Sequence, residues 1–330
     1  MDANLTVQSS KICKRLTAGA AALGVASAVN TGGQYLLTVL LLRLGGVELL
    51  GLQRFVSSIF MVGQAMSLPE AAKVLIRHIR TGVHGSVGFL RTLRLRWSVY
   101  PSVVFAIIGC YFLVTAAMER GVSFLLLAVV APIVFSFEIV LSYLQAFENY
   151  LMLLLYAIAR AVLCLTVAAV LCLLGAPPWL VIVSTFASYA VVAAAFFYLT
   201  VREPPCALTE VAKDQARSES LELTVVSIAN QAAEQVDKVL LGFVLGDAIV
   251  GGFYAAVVVP RTIGFLIKPA VTVMNPHFVT KQVDLMLVCV AGVAATALGV
   301  VAGRFSDQIV RLALGGAITG YRDVTWIMFS

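Results

Sequence analysis

Residues 44–52 read LGGVELLGL and residues 245–253 read LGDAIVGGF, and the two stretches share a pattern of glycines. The glycines recur with the same spacing and an offset of 200 residues: Gly46 and Gly51 in the first stretch, Gly246 and Gly251 in the second. Glycine permits a tight turn and a close approach of two backbones. Because each stretch follows a long apolar run, the repeat predicts the same interhelical turn once in each half of the chain.

The composition is that of a membrane protein. Apolar residues make up 61% of the chain and charged residues only 12%, whereas about a quarter of a soluble domain is charged. The apolar residues form continuous runs, and about 20 such residues span a bilayer as a helix. These runs predict helices at 17–43, 48–68, 97–118, 121–146, 149–174, 178–200, 220–245, 248–275 and 283–302, with a further segment beginning near Val324.

The distribution of Lys and Arg predicts the orientation. With the N-terminus inside, the inner segments carry thirteen basic residues and the outer ones five, as the positive-inside rule requires. We therefore expect a multi-pass membrane protein with a cytoplasmic N-terminus. The segment 69–96 is predicted to be a basic, helical, cytoplasmic connection. Since the basic residues cluster at span ends and are not interleaved with aromatic residues, a nucleic-acid partner is not expected.

The repeat also predicts the domain organisation. Residues 1–200 are expected to form a bundle of six transmembrane helices, 201–219 a cytoplasmic linker, and 220–330 a partial second bundle with three full helices and the start of a fourth. The fold class is an all-α integral membrane protein with two six-helix-type bundles related by a pseudo-two-fold axis along the membrane normal. In such proteins the substrate binds between the halves. The second bundle is incomplete, which suggests a truncated chain.

Ionisable residues within the predicted spans are the candidate site, because burying a charge in a bilayer is costly and usually functional. The anions are Glu138, Glu234 and Asp237, and the predicted substrate-binding cations are Arg54, Arg160, Lys238, Arg261 and Lys268. Arginine binds phosphate oxygens through two parallel hydrogen bonds, and lysine supplies a point charge. Glu234 and Asp237 are candidates for ion coupling. Structural roles stay open: Arg160 could pair with Glu138, Lys238 could pair with Glu234, and Arg54 could extend to the bilayer surface.

Short motifs in a fixed order carry a family resemblance: LLRLGG at 41–46 with Glu48 and Gly51, QVDKVLLG at 235–242, VGGFYAA at 250–256, NPH at 275–277, and IVRLALGG at 309–316 with Tyr321. Together they resemble the polysaccharide (O-antigen type) flippase family of the multidrug/oligosaccharidyl-lipid/polysaccharide exporter superfamily. The resemblance implies a basic cavity that flips a polyprenyl-pyrophosphate-linked oligosaccharide for surface polysaccharide synthesis. It also implies membrane lipids and polysaccharide-assembly proteins as partners. The family usually has twelve or fourteen spans, more than this chain contains.

Other functions remain as alternatives. A multidrug cation antiporter of the same superfamily would need a carboxylate in the first-half cavity, where Glu138 is the candidate and the first span carries no acid. A non-transporting, truncated fragment is another alternative. An enzyme is not expected, because no catalytic constellation, cofactor motif or metal-ligand spacing occurs among the six cysteines and three histidines.

Overall fold

Helices make up most of the part of the chain that the structure describes, namely residues 3–81, 85–201 and 209–254 of a computed structural model, with side chains from residue 24 onward. These ranges contain no β-strand. The helices are α1 (Ala3–Met66), α2 (Ala71–Arg80), α3 (Ser86–Trp97), α4 (Val99–Val114), α5 (Met118–Phe137), α6 (Ile139–Ala146), α7 (Tyr150–Leu173), α8 (Pro178–Thr200) and α9 (Glu210–Val244). Residues 247–254 are also helical. The predicted all-α class is confirmed.

Five helical stretches are long and apolar enough to cross a bilayer, as in a multi-pass membrane protein: Gly24–Met66, Ser86–Val114, Met118–Ala146, Tyr150–Leu173 and Pro178–Thr200. The predicted span 220–245 corresponds to the second part of α9, which ends at Val244 and is not among the five because its polar residues lower its hydropathy. The predicted helix 248–275 from residue 255 onward, the predicted helix 283–302 and the segment beginning near Val324 lie outside the described residues.

Gly46 separates the first two predicted spans. It is the residue of α1 that departs from helical geometry, with φ 80° and ψ −179°, so α1 consists of two helical segments, 3–45 and 47–66. Gly246 has φ 86° and stands directly before helix 247–254. A positive φ is readily adopted only by glycine. The repeat therefore correctly located a backbone break at both positions.

The chain divides into two compact units, and the first contains residues 1–39, 150–161 and 255–330. In its described part, α1 and α7 approach closely at Gly33. A Cβ atom placed on Gly33 would lie 2.8 Å from the Cβ atom of Ala161. Such contacts between small residues are characteristic of helix pairs in membranes, where close backbone packing replaces the hydrophobic effect as the source of attraction.

The second unit contains residues 40–149 and 162–254 and has an aromatic core. The rings of Phe55, Phe105, Phe112 and Phe124 are buried and contact one another, with Phe55 lying 5.9 Å from Phe124 and 6.0 Å from Phe112 between centroids. Aromatic pairs at these separations add to the stabilisation that burial provides. This core joins the segment 47–66 to the α4–α5 hairpin.

Helix α9 runs antiparallel beside segment 47–66 and α2. Gly242, near its end, lies against the ring of Phe55, while earlier in α9 the hydroxyl of Ser227 donates to Glu70 over 2.7 Å. Earlier still, Glu219 forms an ion pair with Arg77 of α2. The side chain of Thr209 caps the helix by accepting from the amide of Ala212. The predicted linker 201–219 is thus helical from Glu210 onward.

Candidate functional site

The two copies of the glycine repeat contact each other in the second unit. A Cβ atom on Gly51 would collide with the carbonyl oxygen of Asp247, and one on Gly251 would collide with the carbonyl oxygen of Val47. These Cβ positions also lie 2.9 Å and 3.0 Å from the amide nitrogen of the opposite glycine. The contact is reciprocal, because exchanging the two halves leaves the same pairs. We refer to this contact between segment 47–66 and helix 247–254 as the glycine crossing.

Side chains around the glycine crossing follow the same symmetry. Leu50 and Val250 are equivalent in the repeat, and both are 0% exposed. Arg54 and Tyr254 are also equivalent, and they contact each other, with the guanidinium carbon 3.9 Å from the ring centroid. A cation placed over an aromatic face is stabilised by the ring quadrupole. The predicted substrate ligand Arg54 is thus buried at the glycine crossing and engaged by its repeat counterpart.

Arg120 binds Asp247, the first residue of helix 247–254. Its Nε and an Nη donate to the two carboxylate oxygens of Asp247 over 3.1 Å and 2.8 Å, which is the bidentate geometry that favours strong pairing. The side chains of Arg120 and Asp247 are 15% and 22% exposed. The guanidinium also lies over the rings of Phe55 and Phe112, at 5.0 Å and 5.3 Å. The pair fixes the first turn of α5 to helix 247–254.

Helix α9 has a polar face and a buried face at the level of the predicted span. Asn230, Glu234 and Asp237 are exposed and share one face by their i, i+4, i+7 spacing. Lys238 is 3% exposed. Its ammonium donates to the carbonyl of Glu234 over 2.7 Å and to Gln235 over 3.1 Å, and lies 3.4 Å from the carboxylate of Asp237. The candidate coupling acids therefore lie on the polar face, while Lys238 is satisfied within its own helix.

A charge cluster lies at Arg94, Glu138 and Gln64; Glu138 is one of the predicted anions, whereas Arg94 and Gln64 were not predicted as site residues. Arg94 is 2% exposed, and an Nη of it lies 3.9 Å from a carboxylate oxygen of Glu138, to which Gln64 also donates. The Nε of Arg94 is buried without a hydrogen-bond partner in the part of the chain that the structure describes. Arg94 had been counted as a cytoplasmic topology charge. Its position near the start of the predicted span 97–118 is typical of a solvated arginine, so the sequence did not indicate its burial.

The remaining predicted ligands fall elsewhere. Arg160 is half-buried in α7, in the first unit, where it has interaction partners of its own. Arg261 and Lys268 lie outside the described residues. Within the ranges that the structure covers, no three His, Cys, Asp or Glu side chains are grouped so that they could hold a metal ion.

An open, charged groove lies between α2 and α9, lined by Lys73, Val74, Arg77, Glu219, Glu222 and Leu223. On the buried side of α2, burial and then the neighbouring charge of Arg77 lower the pKa of His78 from its ordinary value of 6.5. The groove is spanned by the Arg77–Glu219 ion pair, so it contains its own counter-charges rather than a free cationic site.

Comparison with known proteins identifies the fold only. No protein-family model matches the sequence, and no curated protein matches it. The chain is similar to a solved structure named "protein A", with a TM-score of 0.66 and 12% identity over 96% of this chain and 85% of that one. At this identity the likeness shows that the two chains share a fold and carries no function from one to the other.

Proposed function

We propose that the chain is a membrane transporter that flips a polyprenyl-pyrophosphate-linked oligosaccharide across the bacterial cytoplasmic membrane. The observation that carries the transport part of this proposal is the exposed polar face of α9. Charged side chains that face lipid are costly, so exposed Glu234 and Asp237 in a helix among apolar spans favour a water-filled space beside them. A pathway for a polar headgroup requires such a space.

The glycine crossing supports a two-bundle architecture. Its reciprocal contacts are those expected if the two copies of the repeat are related by a local two-fold axis, as an isologous interface requires. In transporters built from repeats, the substrate pathway lies between the halves. We therefore place the pathway of this chain between the predicted N-terminal bundle and the partial C-terminal one.

The substrate class follows from the cations and from the family resemblance. The pyrophosphate group of the substrate has to leave the lipid headgroup layer, and arginine and lysine side chains are suited to bind its phosphate oxygens. Arg261 and Lys268 are the proposed principal ligands, since their seven-residue spacing puts both on one face of a helix. The lipid tail of the substrate would remain in the bilayer, so the site has to enclose only the headgroup.

A genetic experiment tests this function. Deleting the reading frame in its bacterial host is expected to abolish surface polysaccharide, and expressing the chain is expected to restore it. The double variant Arg261→Ala/Lys268→Ala should fail to restore it while reaching the membrane in normal amounts. Lys213→Ala, which removes a partly exposed cation paired with exposed Glu210, is the matched control and should restore it fully. Normal polysaccharide after deletion would contradict the function; normal polysaccharide in the double variant would contradict the two ligands.

The exposed acids of α9 favour one alternative function, the antiport of an organic cation. Glu234 and Asp237 could attract such a substrate, whereas in the flippase they would carry a coupling ion. The variant Glu234→Gln/Asp237→Asn distinguishes the two. If the chain is a flippase, the variant loses surface polysaccharide and efflux of a fluorescent lipophilic cation such as ethidium is unaffected by the chain. If it is an antiporter, expressing the chain increases ethidium efflux and the variant abolishes the increase.

A further inference from the structure

The glycine crossing joins the two repeats through backbone atoms at its centre. Gly51 and Gly251 bring the two helices into contact there. Small residues let helices approach closely, and such packing is a source of attraction between helices in membranes. Leu50 and Val250 are fully buried beside them. The contact therefore excludes water while it is closed.

Each helix of the glycine crossing also begins at a backbone break. Gly46 and Gly246 have φ values of 80° and 86° and immediately precede segment 47–66 and helix 247–254. Hinges consist of a few residues at element ends that can absorb large changes in φ and ψ. Both glycines have open space where a Cβ would be, so neither is fixed by side-chain packing. The two helices can pivot at equivalent points.

The Arg120–Asp247 pair adds an ion pair to the backbone contact of the two glycines. Its bidentate geometry makes it strong, and the partial exposure of both side chains makes it accessible to competing water. The repeat equivalent of Asp247 is Val47, which has no charge, so the pair occurs on one side of the symmetric contact. The guanidinium also lies over the rings of Phe55 and Phe112, at 5.0 Å and 5.3 Å, which add cation–π attraction on its other side.

We propose that the glycine crossing is a gate that closes one end of the transport pathway, with Gly46 and Gly246 as hinges and the Arg120–Asp247 pair as the latch. This inference rests on the proposed transport function. The gate is closed in this structure. Breaking the latch shifts the population toward an open state, because the closed state alone contains the ion pair.

Thiol accessibility tests the gate. In a chain whose native cysteines are replaced by serine, Val250→Cys places a thiol of similar volume at a fully buried position of the glycine crossing. The chain is reconstituted in phosphatidylethanolamine–phosphatidylglycerol vesicles and treated with a membrane-impermeant maleimide. Asp247→Asn and Arg120→Gln are each expected to increase the labelling rate about tenfold, the loss expected for a charge-assisted hydrogen bond. Lys213→Gln, which removes an exposed ion pair elsewhere, should leave the rate unchanged.

A second thiol separates gating from unfolding. Variants that keep only native Cys164, which is 3% exposed, should label equally slowly with and without Asp247→Asn. Faster labelling of Cys164, or an unchanged rate at Val250→Cys, overturns the gate. The function test is independent: a faster rate at Val250→Cys in a chain that does not restore surface polysaccharide supports the gate while contradicting the proposed flippase activity.

Discussion

Arg54 lies over the aromatic ring of Tyr254, its own counterpart in the repeat, with 3.9 Å between the guanidinium carbon and the ring centroid. Two equivalent positions that contact each other must lie close to the local axis that relates the repeats. The residue types differ, since one half supplies a cation and the other a π face. The pair is therefore a sensitive probe of how firmly the repeats are held together.

The Arg54–Tyr254 contact is expected to contribute to stability through the ring and not through the tyrosine hydroxyl. A double-mutant cycle between Arg54→Met and Tyr254→Leu should give a coupling free energy of about 1–2 kcal/mol, the size of a desolvated cation–π contact. The measurement is equilibrium unfolding by SDS in mixed micelles. A cycle that uses Tyr254→Phe in place of Tyr254→Leu should give a coupling near zero, because phenylalanine keeps the ring and Arg54→Met then costs as much as in the unaltered chain. No coupling in the first cycle would contradict the contact.

The two central glycines are expected to tolerate no side chain. Gly51→Ala and Gly251→Ala should each lower the free energy of unfolding by about 1–3 kcal/mol, because the added methyl group collides with the opposite backbone. Gly32→Ala is the matched control, since no atom lies within 4 Å of its Cβ position. That variant should be neutral or slightly stabilising, because alanine favours helix. Equal effects at Gly32 and Gly51 would refute the crossing geometry.

The charge cluster at Arg94 is expected to be strongly cooperative. Glu138→Gln leaves a buried guanidinium without a carboxylate and should cost about 3–5 kcal/mol of unfolding free energy, as breaking a buried pair does. Adding Arg94→Met to that variant should recover part of the loss. Arg96→Met changes an exposed arginine on the same helix and should have little effect. If the changes in unfolding free energy of Glu138→Gln and Arg94→Met simply added in the double variant, the two groups would not interact.

His78 is expected to make stability depend on pH. Its pKa is lowered in the folded chain, chiefly by burial, so below its ordinary pKa of 6.5 the unfolded chain binds the proton more readily. Stability should therefore fall as the pH drops from 6.5 toward the lowered native value, and level off below it. Thermal unfolding across this range should show a weaker dependence for His78→Gln than for the unaltered chain. Identical pH profiles would show that the native pKa is not lowered.

The parts of the fold that depend on local chemistry were predictable. A positive φ is a property of one residue, so the repeated glycines indicated the breaks at Gly46 and Gly246 before any partner was known. Hydropathy similarly indicated the spans, because burial of a whole helix in lipid depends on average composition. Glu234 and Asp237, predicted as candidates for ion coupling, both lie on the exposed polar face of α9.

The partners across long sequence separations were not predictable. Arg120 binds Asp247, 127 residues away, and nothing in either neighbourhood marks the other as its partner. Arg94 was interpreted through the positive-inside rule, which treats an arginine near a span end as solvated. Its burial arises from the packing of α3 in the second unit. For Lys238 the sequence left a contact with Glu234 open beside substrate binding, and the structure has its ammonium 2.7 Å from the backbone carbonyl of Glu234 rather than from its carboxylate.

The reciprocal contact of Gly51 and Gly251 has a consequence for the evolution of the chain. The surface of each helix is complementary to that of the other, so a side chain gained on one helix can be accommodated only by a change on the opposite helix. In related chains the two positions are therefore expected to vary together. A single ancestral half with this surface could also have paired with a second copy of itself before the halves were joined.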